Sequence, residues 1–389
     1  MRQIVTSVFI LASALAAASC SAAPAGDSSA ASTPAPTTPD TAAPYQVSTH
    51  GNFNQPWALA FEPGTSRLFI TQRQGTVVFF DTATGTNGTV TGALPTVDYG
   101  GQGGLGDIAF APDYATSKQI YLTWSEAGEG DTRGAAMGRG KLECGSNNAC
   151  TLSDFSVIWR QTPKVNGRGH FSHRIAFSPD GKYLFLTSGD RQKGDPAQDL
   201  TTNLGKVLRL NLDGTPAAGN PFADRGGVSA EIWSYGHRSV LGLKFDSQGR
   251  LWELEHGPKG GDELNLIEPG KNYGWPIVSN GVNYDNSDIP DHSTRPEFQA
   301  PAISWNPVIA PGNFIFYSGR MWPEWRGEAI MPGLGPKLLV RVAIDGTQGR
   351  EVARYNFDKR LRDVIEAPDG SMWIAEDGVD AKLLHLTRP

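Results

Sequence analysis

Basic charge is scarce in this chain. Lys and Arg number 34 against 40 Asp and Glu, a formal net charge of −6 over 389 residues. A nucleic-acid binder gains affinity by displacing counterions with a basic stripe, so no nucleic-acid partner is expected. Cysteine is scarcer still, at three residues, and two internal Cys alone make a poor zinc site. No GxSxG elbow and no HExxH pair occurs, which removes the usual signatures of serine hydrolases and zinc proteases. Sustained helical periodicity is absent. The apolar run at 8–18, VFILASALAAA, is too short to cross a bilayer comfortably as a mature helix.

What the chain has instead is turns. It contains 46 Gly and 27 Pro, scattered without a collagen period, and 10% aromatic residues, too many for a disordered polymer. Frequent turns joining short extended segments fit that composition.

The first residues stand apart. Arg2 and the run at 8–18 read as a secretory signal. Ala17-Ala18-Ser19-Cys20 resembles a lipoprotein signal, in which Cys20 becomes the lipidated first residue and tethers the chain to a membrane. The alternative is ordinary cleavage nearby with Cys20 lost. Residues 21–44 are nearly all Ser, Ala, Thr and Pro and cannot bury enough apolar surface to order themselves, so they read as a tether. The division is therefore residues 1–20 signal, 21–44 tether and 45–389 folded domain, exported to the periplasm or cell surface. In an exported chain Cys144 and Cys150, flanking GSNNA, are expected to close a small disulfide loop rather than remain free thiols.

One pattern recurs: an apolar residue, a Pro/Asp/Gly turn and an alternating strand. It appears as Phe61-EPGTSRLFIT, Phe110-APDYATSKQIYLTW, Phe177-SPDGKYLFLTSGD, Phe245-DSQGRLWELEHG and Glu366-APDGSMWIAEDG. The starts differ by 49, 67, 68 and 121 residues, so one unit near 298–341 is expected to be degenerate. A hairpin cannot bury its own face, so such units must stack. The expected fold is all-β: a six-bladed β-propeller of four-stranded antiparallel sheets, with function on the loops around the channel. A two-sheet sandwich would not need a repeat of this length.

The loops carry the chemistry. Gly101-Gln-Gly-Gly-Leu-Gly106 matches GxGxxG, but a strand rather than a helix follows, so no helix N-terminus is offered to a pyrophosphate. The glycines are read as letting the backbone approach something flat, with Gln102 as a polar contact. Gly167-Arg-Gly-His-Phe-Ser-His-Arg174 holds two of seven His; His170 is read as a general base and His173 as a structural His. Asp190, in Ser188-Gly-Asp-Arg191, could orient His170. Arg238 follows an apolar strand and suits stabilising an oxyanion. The carbonyls of Gly257 and Pro258 could coordinate a hard cation such as calcium. Arg360 and Arg362 alternate along a strand and suit the carboxylates of a ligand. Each also has a bland reading, as a turn, an ion pair or a solvated face.

In order, GQGGLGDIAFAPDY, GHFSHRIAFSPDG, SGDR, YGHRSVLGLKFD, EHGPKGGDELNLIEPGKNYGWP and RLRDVIEAPDG resemble the soluble sugar dehydrogenases that use pyrroloquinoline quinone, in the glucose/sorbosone dehydrogenase family. The resemblance runs from about Gln55 to the C-terminus and is closest to the aldose sugar dehydrogenase group. It implies oxidation of an aldose at C1 to an aldonolactone, with calcium and the quinone on the channel axis and an unidentified external electron acceptor. His170 would be the base, Asp190 its partner, and Arg238 would sit over the reactive quinone carbonyl. Gln102, Gly169, Ser239, Gly257, Lys337, Arg360 and Arg362 would surround the quinone, with Gln102 also near the sugar. Gly257 and Pro258 would bind the catalytic calcium. Glu263 and the Tyr273 carbonyl resemble a second calcium site, and Trp305 an aromatic facing the sugar. The chain departs from the best-known glucose dehydrogenases at Gly169, at Ser239, in GLGPK around Gly335 and at Ala302, the last implying a wider cleft. Two other readings compete: a secreted propeller that only binds, and a calcium-dependent lactonase. Retention of His170, Asp190 and Arg238 weighs against the first. The Arg pair weighs against the second.

Overall fold

The computed structural model describes residues 43–145 and 148–389. The signal segment, Cys20 and nearly all of the expected tether lie outside the described residues.

The first residue of each recurrent unit, Phe in four and Glu366 in the fifth, ends the first strand of a meander. Those strands are Pro56–Phe61, Leu105–Phe110, Ser172–Phe177, Ser239–Phe245 and Leu361–Glu366. The Pro-Asp-Gly turn then reverses the chain. At 178–183, Asp180 accepts from Ser178 Oγ at 2.6 Å and Lys182 N at 3.2 Å, and Phe177 pairs with Leu184. Such a side chain closes the turn by mimicking a backbone group.

Each hairpin extends into an antiparallel meander. Four-stranded sheets form from residues 172–235, 239–305 and 315–356. An eight-stranded sheet joins the runs 56–92 and 105–160 through a parallel pairing of Thr89–Gly92 with Ala149–Leu152. The C-terminal meander, 361–387, takes its fourth strand from the other end of the chain: Gln46–Phe53 pairs with Ala381–Thr387. The first strands of successive sheets are neighbours, and Leu361–Glu366 returns to Pro56–Phe61, so they form a closed ring. The arrangement is all-β and propeller-like.

The degenerate unit is Ile315–Asn356, later than the sequence pattern implied. Its turn is replaced by a longer excursion through a 3-10 turn at Pro323–Trp325, which erases the Pro/Asp/Gly signature. The strand Ile303–Trp305, inside the expected window, instead completes the preceding sheet.

Apolar faces of neighbouring sheets meet. Tyr121 and Met137 from one pack with Leu184 and Leu208 from the next, all fully buried. Burial of each such Leu or Met contributes about 1.5–3 kcal/mol relative to exposure. The ring axis is polar, and one side chain organises it. Arg174, buried, donates to Leu241 O at 2.7 Å, Asp107 Oδ1 at 3.2 Å, Asp363 Oδ2 at 3.4 Å and Gly312 O at 3.3 Å. Its guanidinium also lies 3.9 Å from the Trp57 ring centroid. It therefore touches the first strand of four other meanders and the segment leading into Ile315. Cys144 and Cys150 are joined, closing the hairpin of Arg133–Cys144 and Ala149–Arg160.

Candidate active site

The loops at one end of the ring surround a cavity of about 540 Å³. Trp57 and His173 contribute to its wall with their rings stacked 5.0 Å apart. His173 sits so close to Gly106 that a Cβ there would lie 1.8 Å from the ring, so the last glycine of GxGxxG makes room for a histidine, not a phosphate. Burial, with Arg174 adding to it, pushes His173 down to about 3, and its Nδ1 pairs with Thr123 Oγ1 at 2.9 Å. The structural reading of His173 holds, with a hydroxyl rather than a carbonyl as partner.

His170 and Asp190 come from neighbouring loops of one sheet. His170 Nδ1 and Asp190 Oδ1 are 2.7 Å apart. His170 Nε2 makes no hydrogen bond to the described residues, and the side chain lines the cavity. Asp190 is 1% exposed. Burial alone would raise its carboxyl, but bonds from His170, Gln192 N and Trp275 Nε1 outweigh that and hold it below the ordinary carboxylate range. An ionised, fixed Asp selects the Nδ1–H tautomer and leaves Nε2 as the basic atom.

Both loops are conformationally costly. His170, Ser172, His173, Arg191 and Gln192 all have φ between 47° and 60°, a region non-glycine residues seldom adopt and which costs of order 1–3 kcal/mol each. Arg191, fully buried, holds them there. It donates to Gly169 O at 2.8 Å, Gly167 O at 2.6 Å and Arg133 O at 2.8 Å, and packs 3.8 Å over Phe171. Gln102 Oε1 accepts the His170 N–H at 2.7 Å, so Gln102 also fixes the base-bearing loop.

Arg238 faces the same cavity, with Ser239 beside it on the wall. Its Nη1 donates to His256 O and its Nη2 to Tyr284 Oη, both at 3.1 Å. Its Nε is buried without a partner among the described residues, which leaves a donor for a ligand oxygen. Arg73, Arg360 and Arg362 add three guanidinium groups to the lining. Arg360 and Arg362 do point the same way, and both bind Asp377, at 2.8 Å each. Four arginines against one carboxylate suit a planar polyanion. One of the departures, Gly169, has a local structural account. At Gly169 a Cβ would lie 2.3 Å from the Gln192 amide oxygen, so Gln192 already fills the space an Asp would need.

A second, smaller cavity adjoins Arg238. Glu255, Gly257, Glu263 and Tyr273 line it. Burial raises the Glu263 carboxyl although His292 stands 3.3 Å away. Glu253, close by, has Oε2 without a partner and is raised well above the carboxylate range, first by burial and then by Glu255. Crowded, buried carboxylates of this kind fit a hard cation. Pro258 is buried but not on this lining, and Gly257 shares one cavity with Glu263 and Tyr273 rather than marking a separate one.

Besides Pro258, and Gly169, which is buried off the lining, three expected residues are elsewhere. Trp305 is packed between two sheets with Trp252 and Phe314, its Nε1 bonded to Glu351 Oε2 at 2.8 Å. Ala302 belongs to the same cluster, so its small size does not widen the cavity. Lys337 is exposed; Leu334 of the same segment is the residue that reaches the cavity wall. Conversely, the sequence reading passed over Arg73, Trp275, Tyr284 and Asp377. Arg73 and Asp377 were detectable by position, since each follows a strand as Asp190 does.

With this geometry in place, the comparisons are specific. Residues 53–385 match the glucose/sorbosone dehydrogenase family. The chain is 36% identical to aldose sugar dehydrogenase YliI of Escherichia coli (strain K12), over 89% of this chain and 94% of that protein. The apo crystal structure of the soluble aldose sugar dehydrogenase from Escherichia coli superposes with a TM-score of 0.82 at 34% identity, covering 89% of this chain and 100% of that one. The PQQ-bound aldose sugar dehydrogenase from Streptomyces coelicolor superposes with a TM-score of 0.70 at 29% identity, covering 88% and 98%. This chain belongs to the glucose/sorbosone dehydrogenase family of sugar oxidoreductases.

Proposed function

We propose that the protein oxidises aldoses at the anomeric C1 to aldonolactones, using pyrroloquinoline quinone and calcium, and passes the electrons to an external acceptor. The carrying observation is that one cavity is lined both by His170, bonded to Asp190 through Nδ1 with Nε2 free, and by Arg238, whose buried Nε lacks an acceptor among the described residues. The likeness to a relative described as PQQ-bound supports the choice of cofactor. Bound in the cavity, the quinone would supply a two-electron acceptor, and a divalent ion beside it Lewis acidity.

The chain's own residues do the rest. His170 Nε2 takes the proton of the C1 hydroxyl, and ionised Asp190 stabilises the imidazolium that results. Arg238 offers its Nε–H to an oxygen that gains negative charge. Arg73, Arg360 and Arg362 match ligand carboxylates, while Gln102 and Ser239 add polar contacts. Gly257, Glu263 and Tyr273, which line the smaller cavity, would hold calcium. The eight-stranded sheet is read as two blades, which with the four other main sheets makes six. Cys20 is read as a lipid anchor on an exported protein.

Purified protein reconstituted with calcium and pyrroloquinoline quinone should reduce an artificial dye when given aldoses. Dye reduction with none of a panel of mono- and disaccharides, together with no quinone uptake in an absorbance titration, would sink this reading. Lactone hydrolysis without quinone would favour the lactonase.

A further inference from the structure

We propose that Trp275 is a positioning residue that locks the His170–Asp190 pair and Arg238 into one unit; this rests on the dehydrogenase reading above. Its indole N–H donates to Asp190 Oδ2 at 2.8 Å. Its ring lies 5.1 Å from the Arg238 guanidinium carbon, within range for cation–π attraction. The two partners are also joined through the backbone, since Asp190 N donates to Arg238 O at 2.9 Å.

The indole is itself anchored. Trp275 N donates to Gly236 O at 2.9 Å, two residues before Arg238, and Gln198 Nε2 donates to Trp275 O at 2.7 Å. Gln198 and Asn272 exchange bonds at 2.7 and 3.0 Å, and Gly236 N donates to Ala197 O at 3.0 Å. The loop carrying Asp190, the approach to Arg238 and the loop carrying Trp275 therefore brace one another.

Hydrogen-bond accounting at Asp190 gives Trp275 its weight. Oδ1 accepts from His170 Nδ1 at 2.7 Å and Gln192 N at 2.9 Å. Oδ2 accepts from Trp275 Nε1 at 2.8 Å and from Gly194 N at only 3.3 Å. The terminal torsion of Asp is broad and roughly two-fold, so a carboxylate gripped at one oxygen can turn. The indole grips the second oxygen, keeps Oδ1 aimed at Nδ1, and thereby keeps the His170 proton on Nδ1 and the lone pair on Nε2.

The test is Trp275→Phe, which keeps an aromatic ring under Arg238 and deletes the N–H. Nitrogen NMR of labelled histidine in the protein without cofactor reads the His170 tautomer, with His170→Asn giving the assignment. The wild type is expected to show one neutral tautomer, Nδ1–H, and Trp275→Phe a mixture with Nε2–H. In the reconstituted enzyme kcat should fall about tenfold or more with KM within twofold, in line with loss of a hydrogen bond to a charged group. In an Asp190→Asn background the same change should alter kcat by less than twofold, because its route is gone. An unchanged tautomer, or effects on kcat that multiply independently of Asp190, overturns the proposal. A wild type that oxidises no sugar refutes the dehydrogenase reading instead, and the tautomer measurement still decides the role of Trp275.

Discussion

His170 Nδ1 and Asp190 Oδ1 stand 2.7 Å apart although their residues are 20 apart in sequence. A strand pairing, Ser172 opposite Ser188, brings their loops together. The contact is a direct product of hairpin register: a slip by one residue would turn one partner to the other face of the sheet.

His170→Ala removes the base without touching the arginines. Turnover should drop by ~10²–10⁴ while quinone uptake persists. Asp190→Asn should also cut turnover, because the amide no longer selects the Nδ1–H tautomer. Dye-reduction kinetics and an absorbance titration separate the two effects; full turnover by either variant would remove that residue from its role.

Arg360, just before the strand Leu361–Glu366, and Arg362, on it, should not be equivalent. Arg362 has a side chain 12% exposed and Arg360 one 49% exposed, yet both bind Asp377. Arg362→Ala leaves Asp377 with only the half-exposed Arg360 as a partner and removes a cation from the cavity wall, so quinone affinity should weaken roughly 10- to 100-fold, as for loss of a buried charge-assisted bond. Arg360→Ala, screened by water, should cost less than tenfold. Equal losses in a quinone titration would show that burial is not what sets the difference.

Arg174→Met tests the axis. It strips Asp107 and Asp363 of a shared cation in a buried setting. Breaking a buried pair from one side typically costs about 3–5 kcal/mol. Urea denaturation should show a loss of that order, and a loss below about 1 kcal/mol would mean that Lys244, half-buried and close enough to interact with Asp107 and Asp363, compensates on its own.

Acid should expose His173. Its folded value is about 3 against an ordinary 6.5, so between those values the unfolded chain binds the extra proton. Stability contributed here is full above pH 6.5 and is lost as pH falls toward 3, at up to about 1.4 kcal/mol per unit. His173→Gln should flatten that slope of unfolding free energy against pH. His256, also pushed to about 3 by burial, leaves a residual slope. An unaltered slope in the variant would contradict the assignment.

Much of this was legible in the residues. The Pro/Asp/Gly turns marked where first strands end, because turn chemistry is local and survives in one dimension. His170, Asp190, Arg238, Arg360 and Arg362 were recognisable because each sits on a loop or strand end beside such a unit. The unit at Ile315–Asn356 was blurred because its turn was swapped for a longer excursion. Trp305 was misplaced for a different reason: an alternating strand does not say which of its faces meets another sheet, and in this fold it is packed against Phe314.

Local chemistry in the sequence determined where the chain turns, which segments extend, and which side chains can act as base, anion binder or cation ligand. Tertiary structure alone decided which of them meet. Ring closure sets Arg174 among strands from across the chain, aims Arg362 and Arg238 into one cavity, and brings Trp275 against Asp190, 85 residues away. Such contacts depend on sheet packing and strand register, which carry no signature in any short stretch of residues.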